Sequence, residues 1–167
     1  MKFNNKIPLV KGVGFSSNFH NINKLGLGKA YASDNSTHID GENLFIAGTK
    51  TARDVFSDWI KIPLGLTRYS TRYKEAEEVS KANPQVKNLI GHSLGSAVSD
   101  ELLKAHPDKN LEIKAIYGSP FVDFTGKQSD NRYRHKFDPV SILDRKAKTV
   151  DLGLVSPLTA HGYSGYD

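Results

Sequence analysis

The chain has no cysteine, one methionine and one tryptophan among its 167 residues. Without cysteine there is no disulfide frame, no thiolate metal site and no thiol nucleophile. That suits a reducing compartment and is equally compatible with secretion. Long apolar runs are missing too. No segment approaches the roughly 18 apolar residues of a membrane span. The apolar run at residues 7–10 is too short for the core of a secretory signal. The expectation is a soluble chain whose compartment the sequence leaves open. Internal repeats, low-complexity tracts and nucleic-acid motifs are absent, as is any metal-ligating cluster, so neither nucleic acid nor a metal is expected.

What is there describes an ordinary globular domain. Apolar residues make up 38% and charged residues 25%, and the length suits one core. Net charge is +5. A basic surface attracts phosphate-bearing partners such as an anionic membrane. A solvated basic face accounts for the same charge equally well.

Residues 11–42 are rich in Gly, Asn and Ser with weak periodicity, and read as loops with one short strand or hairpin. "ENLFIAGT" at 42–49 reads as a buried strand. In residues 50–66 Val55, Phe56, Trp59 and Ile60 fall at helical spacing, and Pro63 stops or kinks the element. Residues 70–84 predict a helix capped by Ser70, with Tyr73, Ala76 and Val79/Ser80 inward. "QVKNLI" predicts a strand, and Leu94, Ala97, Val98, Glu101 and Leu102 a helix closed by His106-Pro107. Residues 111–120, 131–140 and 148–154 supply further strands. This alternation predicts an α/β layer fold with a mainly parallel sheet, functional residues lying past the carboxyl ends of strands. Residues 1–41 are expected to be an irregular segment and 42–163 the core of a single domain.

The strand-to-helix junction is Gly91-His92-Ser93-Leu94-Gly95. A lone Gly-x-Ser-x-Gly is weak, since random placement gives about 0.1 matches in such a chain. Its context is the informative part. A sharp turn after a strand holds a serine in strained backbone geometry and stands its hydroxyl at a helix N-terminus. The alternative is a serine that simply caps the helix. A serine nucleophile needs a base. Of the six histidines only His161 follows the last strands, giving the chain order Ser, Asp, His. Asp138, at a strand end before Pro139, is the best acid, with Asp123, Asp144 and Asp151 as competitors. Leu94 N–H and Thr49 N–H are the natural oxyanion donors.

Five stretches in order, "IAGTKTARDVFSDW", "LIGHSLGSAV", "IYGSP", "RHKFDPVSIL" and "AHGY", resemble the class 3 (fungal-type) lipases of the α/β-hydrolase fold. The resemblance implies Ser93 as nucleophile, Asp138 as acid, His161 as base and Thr49 with Leu94 at the oxyanion hole, and favours Asp138 over Asp151. It implies hydrolysis of carboxylic esters of lipids, acylglycerol or phospholipid, without a cofactor. Departures are Ile46-Ala47 before Gly48-Thr49, Ser96 where the family has a second Gly, and a shorter chain. Phe56, Trp59, Ile60 and His92 are candidate substrate contacts; the apolar residues of 55–67 suit a small lid, an acyl-binding wall or plain core. Arg132, Arg134, Lys136, Arg145, Lys146 and Lys148 are candidates for an anionic headgroup or membrane surface. Rival readings are a small-substrate carboxylesterase or thioesterase, and a non-catalytic hydrolase fold used for binding.

Overall fold

The computed structural model describes residues 9–50, 70–120, 131–141, 144, 147–150, 156 and 160–163, with 9–17 and 150 as backbone only. The expected helix at 50–66, and with it Phe56, Trp59 and Ile60, lies outside the described residues, as do Asp123, Arg145, Lys146 and Asp151.

The elements run α1 (Leu9–Ala32), β1 (Thr37–Asp40), β2 (Asn43–Ile46), α2 (Thr71–Ala82), β3 (Asn88–His92), α3 (Leu94–Ala105), β4 (Glu112–Tyr117), β5 (Arg132–His135) and β6 (Lys148–Val150). The six strands form one sheet in sequence order. β1 and β2 make an antiparallel hairpin, and every later pair is parallel. The result is a mixed, mostly parallel sheet with helices, a general α/β arrangement. No helix among the described residues is long and apolar enough to cross a membrane.

The two faces of the sheet bury different chemistry. Against α2 and α3 lies an aliphatic cluster that includes Leu44, Ile46, Leu89, Val98, Leu102, Ile113 and Ile116. On the other face Leu27 and Ala30 of α1 pack against Phe45, Ile90, Ala115 and Tyr117. Strand alternation explains the division, with Leu44 and Ile46 on one side and Phe45 on the other. In β4 the alternation breaks, because the register against β3 slips between Leu89 and Ile90. One extra residue, Lys114, puts Ile113 and Ile116 on the same face three positions apart, as a bulge does. α2 starts as expected: Ser70 Oγ accepts from Tyr73 N–H, and Tyr73, Ala76 and Ser80 are buried.

α1 corrects the expectation of an irregular segment at 1–41. Its inner face is His20, Asn23, Gly26, Leu27 and Ala30, all buried. Its outer face exposes Ile22 and Leu25. Hydrophobic periodicity is thus nearly erased, which is why the sequence reads as loop. What seats the helix is tertiary. The Tyr117 hydroxyl accepts from Asn23 Nδ2 at 2.9 Å and shares a 2.8 Å hydrogen bond with His20 Nδ1. Gly26 lets the helix approach the sheet, since a Cβ there would collide with the Phe45 ring.

Candidate active site

β3 delivers the chain to Ser93 and α3 takes it away. Ser93 adopts φ 55°, ψ −124°, a conformation that L-residues rarely hold, and makes no side-chain cap on α3. The capping alternative therefore fails. Flanking glycines make the turn sterically feasible: a Cβ on Gly91 would lie 2.6 Å from Gly95 O, and one on Gly95 would strike the Ile46 carbonyl. Ser93 N–H donates to Tyr117 O at 3.0 Å. Ser96, which stands where a second glycine was expected, donates its hydroxyl to the same carbonyl at 3.3 Å. The larger side chain is accommodated at zero exposure, so helix and strand pack closely with Ser96 in place.

The hydroxyl of Ser93 lies 2.8 Å from His161 Nε2. His161 Nδ1 lies 2.9 and 3.0 Å from the two Asp138 oxygens. A carboxylate only accepts, so Nδ1 carries the ring proton and Nε2 accepts from Ser93 O–H. Asp138 is fully buried. Burial pushes its carboxyl up, but hydrogen bonds from His161, from Ser141 and from Val140 N–H outweigh that and hold it below its ordinary value. Ser141 Oγ donates to Oδ2 at 2.6 Å and Val140 N–H to Oδ1 at 2.9 Å. Ser141 was missed by sequence reasoning, although a hydroxyl three residues past an Asp-Pro turn is a readable signal. The competing Asp144 is committed elsewhere, 3.2 Å from Arg132 in a buried ion pair.

Two stretches of backbone lie next to Ser93. Leu94 opens α3, and the first N–H groups of a helix lack intrahelical acceptors. Gly48 packs against the elbow, so that a Cβ there would lie 2.7 Å from Ser93 Cβ, and Thr49 follows it. Thr49 also borders a polar pocket of about 260 Å³ with Asp34, Ser36, Lys50, Thr71, Arg72 and Glu75. Among the described residues no group of His, Asp and Glu is arranged to hold a metal.

Two expectations are corrected. The sequence suggests His92 as a substrate contact, but it is 3% exposed and both ring nitrogens are engaged, Nδ1 by the Tyr31 hydroxyl and Nε2 by the His161 carbonyl. The turn at positive φ points the side chains of Ser93 and His92 apart, which leaves His92 beneath the site. Arg132 was taken as available to an anionic headgroup, but it is equally buried and paired with Asp144. Lys136 and Lys148 are exposed, the first lying over the Phe137 ring and the second over Tyr133. The other histidines have structural places: His20 on Tyr117, His38 stacked on Phe45, His106 beside Glu77, and His135 accepting from Phe137 N–H.

No protein-family model matches the chain, and no curated protein and no solved structure matches it either.

Proposed function

We propose that the chain is a serine ester hydrolase of the α/β-hydrolase type, cleaving carboxylic esters through an acyl-enzyme. One observation carries this reading: a serine held at positive φ between a parallel strand and a helix donates to a histidine that is itself held by a buried carboxylate. That is the geometry of an activated nucleophile.

Ser93 Oγ attacks the acyl carbonyl as His161 Nε2 takes its proton. Asp138 stabilises the imidazolium and fixes the tautomer without taking the proton itself. Negative charge then develops on the former carbonyl oxygen, next to the Leu94 and Thr49 N–H groups and the positive end of α3. Collapse expels the alcohol, which receives its proton from His161. Water, deprotonated by the same histidine, attacks the acyl-enzyme and releases the acid.

A lipid ester is the substrate class suggested by the resemblance of the five motifs to class 3 lipases. The exposed pair Lys136 and Phe137 directly before Asp138 supports it, since a cation beside an exposed aromatic suits a lipid interface. Labelling with a fluorophosphonate probe, wild type against Ser93→Ala, tests the chemistry. The wild type is expected to label and to hydrolyse esters, and Ser93→Ala to do neither; full activity in Ser93→Ala sinks the reading. A panel of esters from short to long acyl chains, neutral and anionic, then tests the substrate class. A preference for short soluble esters moves the assignment to a carboxylesterase or thioesterase.

A further inference from the structure

Four separate parts of the chain meet beneath the nucleophile. His92 Nε2 lies 2.6 Å from the His161 carbonyl oxygen, and its Nδ1 lies 2.5 Å from the Tyr31 hydroxyl. That hydroxyl accepts from Gly48 N–H at 3.0 Å. The directions follow from what each group is able to do. A carbonyl only accepts, so Nε2 carries the proton. In the neutral ring Nδ1 then accepts, so Tyr31 O–H donates to it. The ring does stay neutral, because burial, with the neighbouring His161 as a smaller cause, lowers its pKa to about 3. Burial likewise pushes the Tyr31 hydroxyl up to about 12, so it keeps its proton.

We propose that Tyr31 and His92 form a positioning relay for the proposed hydrolysis, holding the oxyanion loop at Gly48-Thr49 and the backbone of His161 in register with Ser93. The inference rests on the functional reading above. Each terminus of the relay is one residue from the chemistry or part of it: Gly48 precedes Thr49, His92 precedes Ser93, and the far acceptor is the carbonyl of His161 itself. The bonds are part-buried, and drawing such a network partly out of water makes its bonds stronger than exposed ones. A second clasp supports the same segment, because the Tyr31 ring stacks on Tyr163 at 5.0 Å and 13°, two residues past the base. An aliphatic residue at 92 would fill the space without directing anything. The relay instead fixes where the base's main chain sits, and misplacement of about 1 Å is enough to cost roughly a hundredfold in rate. Tyr31 and His92 touch no reacting atom, so they position catalytic groups and are not catalytic themselves.

The test uses the full chain, a chromogenic ester, and four variants: Tyr31→Phe, His92→Phe, the double variant, and His92→Gln. Tyr31→Phe keeps the ring stacked on Tyr163 and removes only the hydroxyl. It is expected to lower kcat about tenfold or more with KM changed less than about twofold. The double variant is expected to be no slower than His92→Phe alone, because the two residues act as one unit. The His92→Gln amide reaches the His161 carbonyl, and is expected to recover part of the kcat lost in His92→Phe. If Tyr31→Phe lowers Tm but keeps wild-type kcat, or if the two single losses multiply in the double variant, the relay is only structural. Should Tyr31→Phe not fold, the contrast of His92→Gln with His92→Phe decides alone, and equal kcat overturns the proposal. A readout independent of turnover separates this inference from the hydrolase reading. The low-field imidazole proton of His161 Nδ1–H is expected to shift or broaden in Tyr31→Phe; an unchanged resonance overturns the positioning role whether or not the wild type hydrolyses esters.

Discussion

The two faces of the sheet do different work. Behind the sheet, α2 and α3 close on a cluster of apolar side chains in which Tyr73 alone carries a hydroxyl. In front, α1 closes on a face where His20, Asn23, Tyr31, His92 and Tyr117 bond to one another in pairs. Apolar contact is non-directional and tolerates small shifts, whereas hydrogen bonds between buried groups fix position and are costly to leave unmade. The aliphatic face therefore supplies stability, and the polar face supplies orientation at the ends of β2 and β3, where the candidate site lies.

Acid gives the sharpest separation of the two. His92 has its pKa lowered from 6.5 to about 3 in the fold. Between those values the unfolded chain binds a proton that the folded chain refuses, so stability rises with pH there. The His92 contribution is complete above about pH 6.5 and is lost as pH falls toward 3, with a total on the order of 3–5 kcal/mol. Asp138, held low, adds a further loss only below its ordinary value of about 4. Denaturant melts from pH 7 to pH 4 should show the slope in the wild type and a shallower one in His92→Gln, the remainder including His20, whose pKa burial also lowers; the same slope in both would place its origin elsewhere.

Leu102→Ala tests the aliphatic face. Leu102 is fully buried in α3, and truncation is expected to cost about 2–5 kcal/mol. Fluorophosphonate labelling of Ser93 per folded molecule should stay within about twofold of wild type. A larger drop would mean that the aliphatic face also orients the site.

Tyr117→Phe, on the polar face, strands His20 and Asn23 and is expected to cost about 1–3 kcal/mol, measured by urea melts. Protection of the α1 amides from hydrogen exchange should fall more than that of α3. Uniform loss would erase the distinction between the faces. The smallest effect is expected for Ser70→Ala, which removes the α2 cap for about 1 kcal/mol in a chemical melt and leaves labelling untouched.

Legibility in the sequence follows the same division. The elbow is local: Gly91, Ser93 and Gly95 are spaced by what one turn of backbone can tolerate, and five residues suffice to show it. Ser70 and the inner face of α2 are local too. The helix α1 is not, because Asn23 and Gly26 argue for a loop until Tyr117 and Phe45 stand opposite them. Asp138 and His161 were readable from chain order, but nothing in the sequence links Tyr31 to His92, 61 residues away. His92 is not a substrate contact because both its ring nitrogens are taken by Tyr31 and His161, partners 61 and 69 residues away that no local pattern reveals.

The strand order has one more consequence. Because the six described strands lie in the sheet in the order of the chain, a polypeptide leaving the ribosome adds each of them to an open edge and parts no pair already made among them. The elbow at residue 93 is built midway, and the imidazole at 161 reaches it only after the sixth strand has been laid down. Under the proposed chemistry the serine has no base until residue 161 has been added and has folded back, so a nascent chain that stops short of it carries a finished nucleophile turn and no hydrolase.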